Sequence, residues 1–397
     1  MKKRKNYGRK IKRNKINLYP KRKTKAQKIL GTVLLVIIIL VIVFLGYCLG
    51  KPLLEFFEKS IGTNDKAPAW TPPADTTQAE EIPEGTTAAE VTTSAAETTS
   101  PVPVEDPDIY AVSVPVSALQ NSASLSTFAS KAAADGYTAA VVTLKNSSGH
   151  LLYYTEVSVA KDSEAVIGMM SASEICGILS QNGLVPIAEV SVLSDNKGGE
   201  INGDMCYKIV DEPTVSWLDY FSTGEPVRWS NPGNEATILY NKAIADELTA
   251  SGFRKIIQTD IIFPPFQNYD REFIAAEYFA ADRYKLLKNV VADGSCICVN
   301  AEDIINNMEG SAEVLKNKTE LSGNTVIVRI RREAFTAEDR YPADAAALLE
   351  DIMSLCRTKC AGLELVPMID KSGFSAEEIA AMKQTAASIG YSDLYIK

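Results

Sequence analysis

Two carboxylates stand at the ends of apolar runs, where a buried charge needs a reason. In Gly252 to Phe266, GFRKIIQTDIIFPPF, Asp260 follows Ile256 and Ile257 and precedes the strand-stopping pair Pro264-Pro265. An isolated carboxylate in an apolar interior costs several kcal/mol or neutralises, so Asp260 is paired, solvated at a strand end, or used. Glu189 occupies the matching place in the run Leu184 to Val192. On neighbouring parallel strands the two would lie about 4.8 Å apart. That spacing suits the carboxyl pair of a retaining glycosidase, and barrel stagger would widen it toward the inverting range. The competing reading is a structural ion network with Arg329 and Arg331.

Other chemistries lack residues. The chain has one histidine, His150, in a Ser-Ser-Gly-His loop, so neither a histidine-rich metal site nor a Ser-His-Asp triad on a G-x-S-x-G elbow can be assembled. No metal or other cofactor is expected. Among the seven cysteines, Cys296 and Cys298 share a strand face and Cys356 and Cys360 a helix face, spacings that fit burial rather than a disulfide framework.

The elements that must position these groups alternate strand and helix. Strands are predicted at 110–116, 139–145, 184–192, 255–263, 296–300, 325–331, 362–369 and 393–396. Helices are expected near 125–135, 172–182, 235–251, 271–293, 343–359 and 376–389. Eight strands over residues 108–397 give an α/β fold, a (β/α)8 TIM-type barrel; a doubly wound open sheet is the alternative, but no glycine-rich phosphate loop follows the first strand. One face of the strands is apolar and would pack on helices. The other holds Ser113, Thr143, Lys145, Glu189, Ser191, Gln258, Asp260, Asn300, Arg329, Arg331 and Asp370, which would collect at the C-terminal mouth where such barrels carry their sites. Within that set Lys145, Arg329, Arg331 and Asp370 are candidate substrate contacts. Trp217 and Trp229, in the long segment after the third strand, would either stack on a sugar ring or pin the loop to the barrel.

The first hundred residues differ in kind. Residues 1–28 carry 14 Lys or Arg and no acid, and lead into an uncharged run at 29–50. Those 22 residues span about 33 Å as a helix, which suits a single transmembrane segment with the lipid bilayer as partner. The positive-inside rule places the N-terminus in the cytoplasm and all that follows Lys51 outside the cell membrane. The tail has more charge than orientation needs, so anionic lipid is a second partner to weigh there. Residues 51–107, rich in Thr, Ala, Glu and Pro, cannot pack a core and read as a disordered stalk. Taking 14 from the 41 basic residues leaves 27 against 50 acids, a net charge of −23 beyond the tail that argues against specific nucleic-acid binding.

The run Trp217, Asp219, Gly224, Trp229, Asn231, Pro232, Tyr240, Glu247, Gly252, Phe253, Ile256, Asp260, Phe263 and Pro264 resembles a bacterial family of glycoside-hydrolase-like proteins with an amylase-superfamily-like barrel. Members of that family are often membrane-anchored, and Lys145 and Gly149 fit its Asp-x-Lys-Asp pattern followed by Gly. Departures accompany the likeness. The chain has Thr143, Lys145 and Asn146 where the family has Asp, Lys, Asp, and Glu189 where the family has Arg. Asp260-Ile261-Ile262-Phe263-Pro264 replaces a longer Asp-Tyr-x-Arg-Phe-Pro. The resemblance implies a cell-surface glycoside-hydrolase-like barrel with a polysaccharide or cell-wall glycan as partner, and the departures imply altered substrate or lost catalysis. Two functions remain open: a glycosidase with Asp260 as nucleophile or stabiliser and Glu189 as acid, or a non-catalytic glycan-binding module.

Overall fold

The computed structural model describes residues 108–221, 224–321, 323–336 and 341–397. The expected basic tail, transmembrane segment at 29–50 and stalk lie outside the described residues. Among the described residues no helix is long and apolar enough to cross a membrane.

Eight parallel strands close into a barrel. They are β1 Tyr110–Ser113, β2 Ala139–Lys145, β3 Val185–Ser191, β4 Lys255–Thr259, β5 Cys296–Asn300, β6 Thr325–Ile330, β7 Glu364–Ile369 and β8 Leu394–Ile396. Each pairs with its sequence neighbour, and Tyr110 of β1 registers with Leu394 of β8 to complete the ring. Every strand lies within the range its apolar run predicts, in places a few residues shorter.

The outer layer is built from α1 Ser122–Ala134, α2 Ala172–Gln181, α3 Asn196–Ile201, α4 Glu235–Ala250, α5 Ala301–Ile305, α6 Ala345–Lys359 and α7 Ala376–Ser388. Their boundaries are local chemistry. Asn121, Ser171, Asn234, Asp344 and Ser375 each accept a first-turn backbone N–H, and Ser375 with Glu378 forms a reciprocal capping box. At the other end of α4, Gly252 adopts φ +101°, where a Cβ would also meet the Cys176 sulfur at 3.0 Å, so the turn into β4 requires glycine.

Side chains divide as the pleat demands. Ala111, Val141, Ile187, Ile257, Cys298, Ile327, Val366 and Tyr395 fill the lumen. Val142, Leu144, Val190, Val299, Val328 and Leu365 face outward onto helices. Gln258 departs from expectation: Ile257 takes the lumen, and Gln258 points outward, accepting from Ala292 N and Ser295 Oγ and donating to the Val290 carbonyl.

The helix expected over 271–293 is absent. The segment is instead three short 3-10 pieces, Asn268–Glu272, Ala276–Phe279 and Arg283–Val290. Two anchors explain the break: Asp270 accepts from Gln267 N and Trp217 Nε1, and Tyr278 accepts from Asn231 Nδ2. Each anchor fixes its turn to the preceding loop, which competes with a continuous helix. A cavity of about 380 Å³ opens between α4 and the segment 289–295, lined by residues such as Asn241, Thr249, Arg254 and Asn289. It sits against the outer face of the barrel, away from the strand ends that carry the carboxylates.

Candidate functional site at the barrel mouth

Each strand from β2 to β7, with the residue after β8, contributes a polar group near its C-terminal end: Thr143, Glu189, Ser191, Thr259, Asn300, Arg329, Asp370 and Lys397. The period-2 pleat puts these on the lumen side in line with the apolar plug below. Burial pushes the Cys298 thiol up to about 12; the charges of Lys397 and Arg329 oppose the rise, and those of Glu189 and Asp260 add to it.

Glu189 is already engaged. Its Oε2 lies 2.5 Å from Lys397 Nζ and its Oε1 accepts from Thr143 Oγ1 at 2.9 Å. Strands β3 and β8 are three places apart in the ring, so this pair bridges the lumen just below the mouth. Lys397 is absent from the polar set that the strand pattern singles out, although the alternation Asp393, Tyr395, Lys397 along β8 carries the signal.

Asp260 is held differently. Strict alternation places it on the outward face with Gln258, but its φ of +55° turns the backbone and breaks the alternation. It is one of three non-glycine residues at positive φ among those described. Aspartate tolerates this region better than most residues, and such outliers concentrate at functional sites. Its Oδ2 accepts from Ser191 Oγ at 2.6 Å and Thr259 Oγ1 at 3.2 Å. Asp260 is half-buried and has no cationic partner among the described residues. Ser191 registers with Thr259, and Glu189 with Ile257, so Asp260, three residues past Ile257, sits roughly 10 Å further toward the mouth than Glu189 along the strand.

The remaining candidates are not brought to Asp260. Lys145 follows a register shift after Thr143 that pairs it with outward-facing Val190, so it leaves the lumen. It is fully buried beneath the loops, 2.6 Å from Asp195 and 4.9 Å from the Tyr240 ring centre. Asp195 in turn accepts from Gly198 N, and a Cβ at Gly149 would lie 2.0 Å from its Oδ1. This ion pair ties the end of β2 to the loop after β3 and is sealed from solvent. Arg329 pairs with Asp370, and Arg331 with Glu302 of α5. The Asp370 carboxyl is subject to burial, which raises it, yet hydrogen bonds from Arg329 and Ser372 outweigh burial and hold it below the usual carboxylate range.

The tryptophans are pins. Trp217 is 8% exposed, packs among Tyr207 and Phe266, and donates to Asp270. Trp229 is half-buried and donates to Asp219 Oδ2 at 3.2 Å. Both indoles therefore support loops, and burial takes from Trp217 the open stacking face that the sequence allows for it. The cysteines Cys176, Cys206, Cys296, Cys298, Cys356 and Cys360 are buried and unbridged, in keeping with packing. Among the described residues no cluster of His, Cys, Asp and Glu could hold a metal ion.

Comparison with known proteins bears on this geometry. Residues 111–294, a little under half the chain, match a family model described as "Putative glycosyl hydrolase domain". No curated protein sequence matches. Among solved structures, the glycoside hydrolase domain of PgaB (BpsB) from Bordetella bronchiseptica is similar at 10% identity and TM-score 0.48, covering 73% of this chain and 93% of that one. The catalytic domain of beta-amylase from Paenibacillus polymyxa is similar at 10% identity and TM-score 0.44, covering 73% and 92%. A hypothetical protein from Ruminiclostridium thermocellum reaches 17% identity and TM-score 0.38, covering 45% and 88%. These structural likenesses are too distant to assign a residue or a substrate. The family resemblance read from the tryptophan-proline segment and Asp260 is borne out as a match over residues 111–294, from β1 to the turn before β5, which supply the first four strands of the eight-stranded barrel.

Proposed function

We propose that the barrel binds a carbohydrate chain at its C-terminal mouth, with Asp260 as the contacting carboxylate. The observation that carries this reading is the state of Asp260: a positive-φ residue at a strand end, fixed by two hydroxyl donors and, among the described residues, left without a cation. A carboxylate held so can accept hydrogen bonds from sugar hydroxyls without first breaking an ion pair. Glu189, by contrast, would have to leave Lys397 to reach a ligand. Binding without hydrolysis therefore requires less of this site than catalysis does.

Hydrolysis is the second reading, favoured by one observation. Glu189 and Asp260 stand on adjacent strands with a rise of roughly 10 Å between them, near the wide limit, about 9.5 Å, for inverting carboxyl pairs. One experiment addresses both. Wild type and Asp260→Asn are compared for binding to a polysaccharide panel and for release of reducing ends. Binding by wild type that the substitution weakens at least tenfold, with no release, supports the binding module. Turnover that Asp260→Asn lowers by several orders of magnitude supports the glycosidase. Undiminished binding in the variant rules Asp260 out of the site.

The proposal includes placement. The lysine- and arginine-rich tail and the uncharged run at 29–50 support a single-pass membrane protein, N-terminus cytoplasmic, with the barrel outside and anionic lipid at the tail. Protease added to intact cells should then cleave the stalk and release a fragment containing the barrel. Full protection in intact cells, with cleavage after lysis, would reverse the orientation.

A further inference from the structure

The loops after β3 and β4 expose aromatic rings that the site described above does not use. Tyr220 and Phe221 are 59% and 62% exposed, and Tyr269 is 49% exposed. The rings of Phe221 and Tyr269, 48 residues apart in sequence, stand 6.1 Å centre to centre at 55°. Rings this open normally cost solvation without return, and a contiguous exposed apolar patch marks a binding surface.

The backbone beneath these rings is built to hold them. Phe221 N donates to Asp219 Oδ1, whose other oxygen takes the Trp229 indole N–H. Tyr269 precedes Asp270, which is buried and takes the Trp217 indole N–H and Gln267 N. The two buried or half-buried tryptophans thus each brace an aspartate, and each aspartate sets the position of an exposed ring. A further backbone bond from Val210 N to the Phe273 carbonyl joins the antiparallel ribbon of Lys208–Ile209 and Glu212–Ser216 to the same loop. Desolvation, with the fields of Asp270 and Asp219, raises the Tyr269 phenol.

We infer that Phe221 and Tyr269 form a stacking platform for an uncharged sugar chain, an outer extension of the site at Asp260. This rests on the carbohydrate reading of the mouth. Both loops leave the two adjacent strands that carry Ser191 and Asp260, so the platform continues from the site rather than standing apart from it. An aromatic face carries negative quadrupole charge that attracts the C–H face of a pyranose, and a rigid ring loses little entropy on contact. The charge around the platform sets the ligand class. Asp211, Glu212, Asp219, Asp270 and Glu272 flank the rings in sequence against Lys208 and Arg271, and the chain beyond its tail is strongly acidic, so an anionic polymer is repelled.

The test uses the full chain, purified in detergent, in affinity gels cast with soluble starch, hydroxyethylcellulose or mannan. Carboxymethylcellulose serves as the anionic counterpart. Retardation is expected in at least one neutral gel and not in the anionic one. Phe221→Ala and Tyr269→Ala should each weaken it about tenfold, while Tyr269→Phe, which keeps the ring, should leave it unchanged. Both alanine changes lie on exposed side chains and leave the core intact. If Asp260→Asn weakens retardation but neither alanine variant does, the platform is overturned and the mouth reading stands. If no neutral polymer retards wild type, both fall. If the alanine variants instead abolish self-association in sedimentation while retardation persists, the patch is a protein interface and the inference is wrong.

Discussion

The two sides of the barrel mouth treat their carboxylates in opposite ways. On the side of β6 and β7, acids are matched to arginines: Arg329 to Asp370, Arg331 to Glu302 and Arg332 to Glu378. All of these arginines retain partial exposure. On the side of β2 to β4, Glu189 meets Lys397 and Lys145 meets Asp195, the latter pair fully buried beneath the loops, while Asp260 has no cationic partner among the described residues. The first arrangement neutralises charge at a rim that water still reaches. The second separates structure from availability: one carboxylate is sealed in to lock a loop to a strand end, and another is left open at the end of the adjacent strand. An arginine in the sequence of a barrel strand is therefore weak evidence for a ligand contact when an acid on the next strand or helix can claim it.

The largest effect should come from the sealed pair. Lys145→Met leaves Asp195 buried without its counter-charge, and removing one partner of a buried pair costs about 3 to 5 kcal/mol. Urea unfolding followed by tryptophan fluorescence, to which buried Trp217 contributes, measures it. A loss below about 1 kcal/mol would mean that the pair behaves like an exposed one, and the contrast between the two sides would collapse.

Much of the barrel is legible in the order of its amino acids, and the failures have local causes. All eight strands follow from apolar runs bounded by turns, because a barrel strand must bury both its lumen and helix faces. The inward polar set holds for Thr143, Glu189, Ser191, Asn300, Arg329 and Asp370, where the pleat is regular. It fails at Lys145, where a register shift rotates the residue out, and at Gln258, whose carboxamide satisfies the loop at 290–295 instead of facing the lumen. Asp260 reaches the mouth only because its own φ reverses the alternation. Irregularities of this kind leave no trace in a period-2 pattern. The helix expected over 271–293 fails for another reason. Its apolar spacing is adequate, but Asp270 and Tyr278 are bonded to residues some fifty positions earlier, and tertiary anchoring overrides local preference. The tryptophans show the same limit: composition marks the loop, and only the partners of each indole N–H distinguish a brace from a contact.

The smallest predicted effect tests the arginine-rich side through its pH dependence. Asp370 accepts from Arg329 and from Ser372 N and Oγ, and its carboxyl is held below the ordinary value despite burial acting the other way. A group depressed in the folded state stabilises fully above its unfolded pKa, about 3.9 for aspartate, and loses that contribution as pH falls through the folded value. Because Arg329 is 30% exposed, the pair should contribute only about 1 kcal/mol, between the range of surface pairs and that of buried charged hydrogen bonds. Asp370→Asn should therefore be less stable than wild type by about that amount at pH 7, and the gap should hold down to about pH 5. Below that it should narrow, as the wild-type carboxylate takes up its proton and only the wild type loses stability from this source. Urea midpoints for both proteins at pH 7, 5 and 3 measure the gap directly. A gap that widens toward acid would mean that Asp370 is held protonated rather than ionised. The β6 and β7 side would then carry an uncompensated arginine at the mouth, and Arg329 would return as a candidate for meeting a ligand.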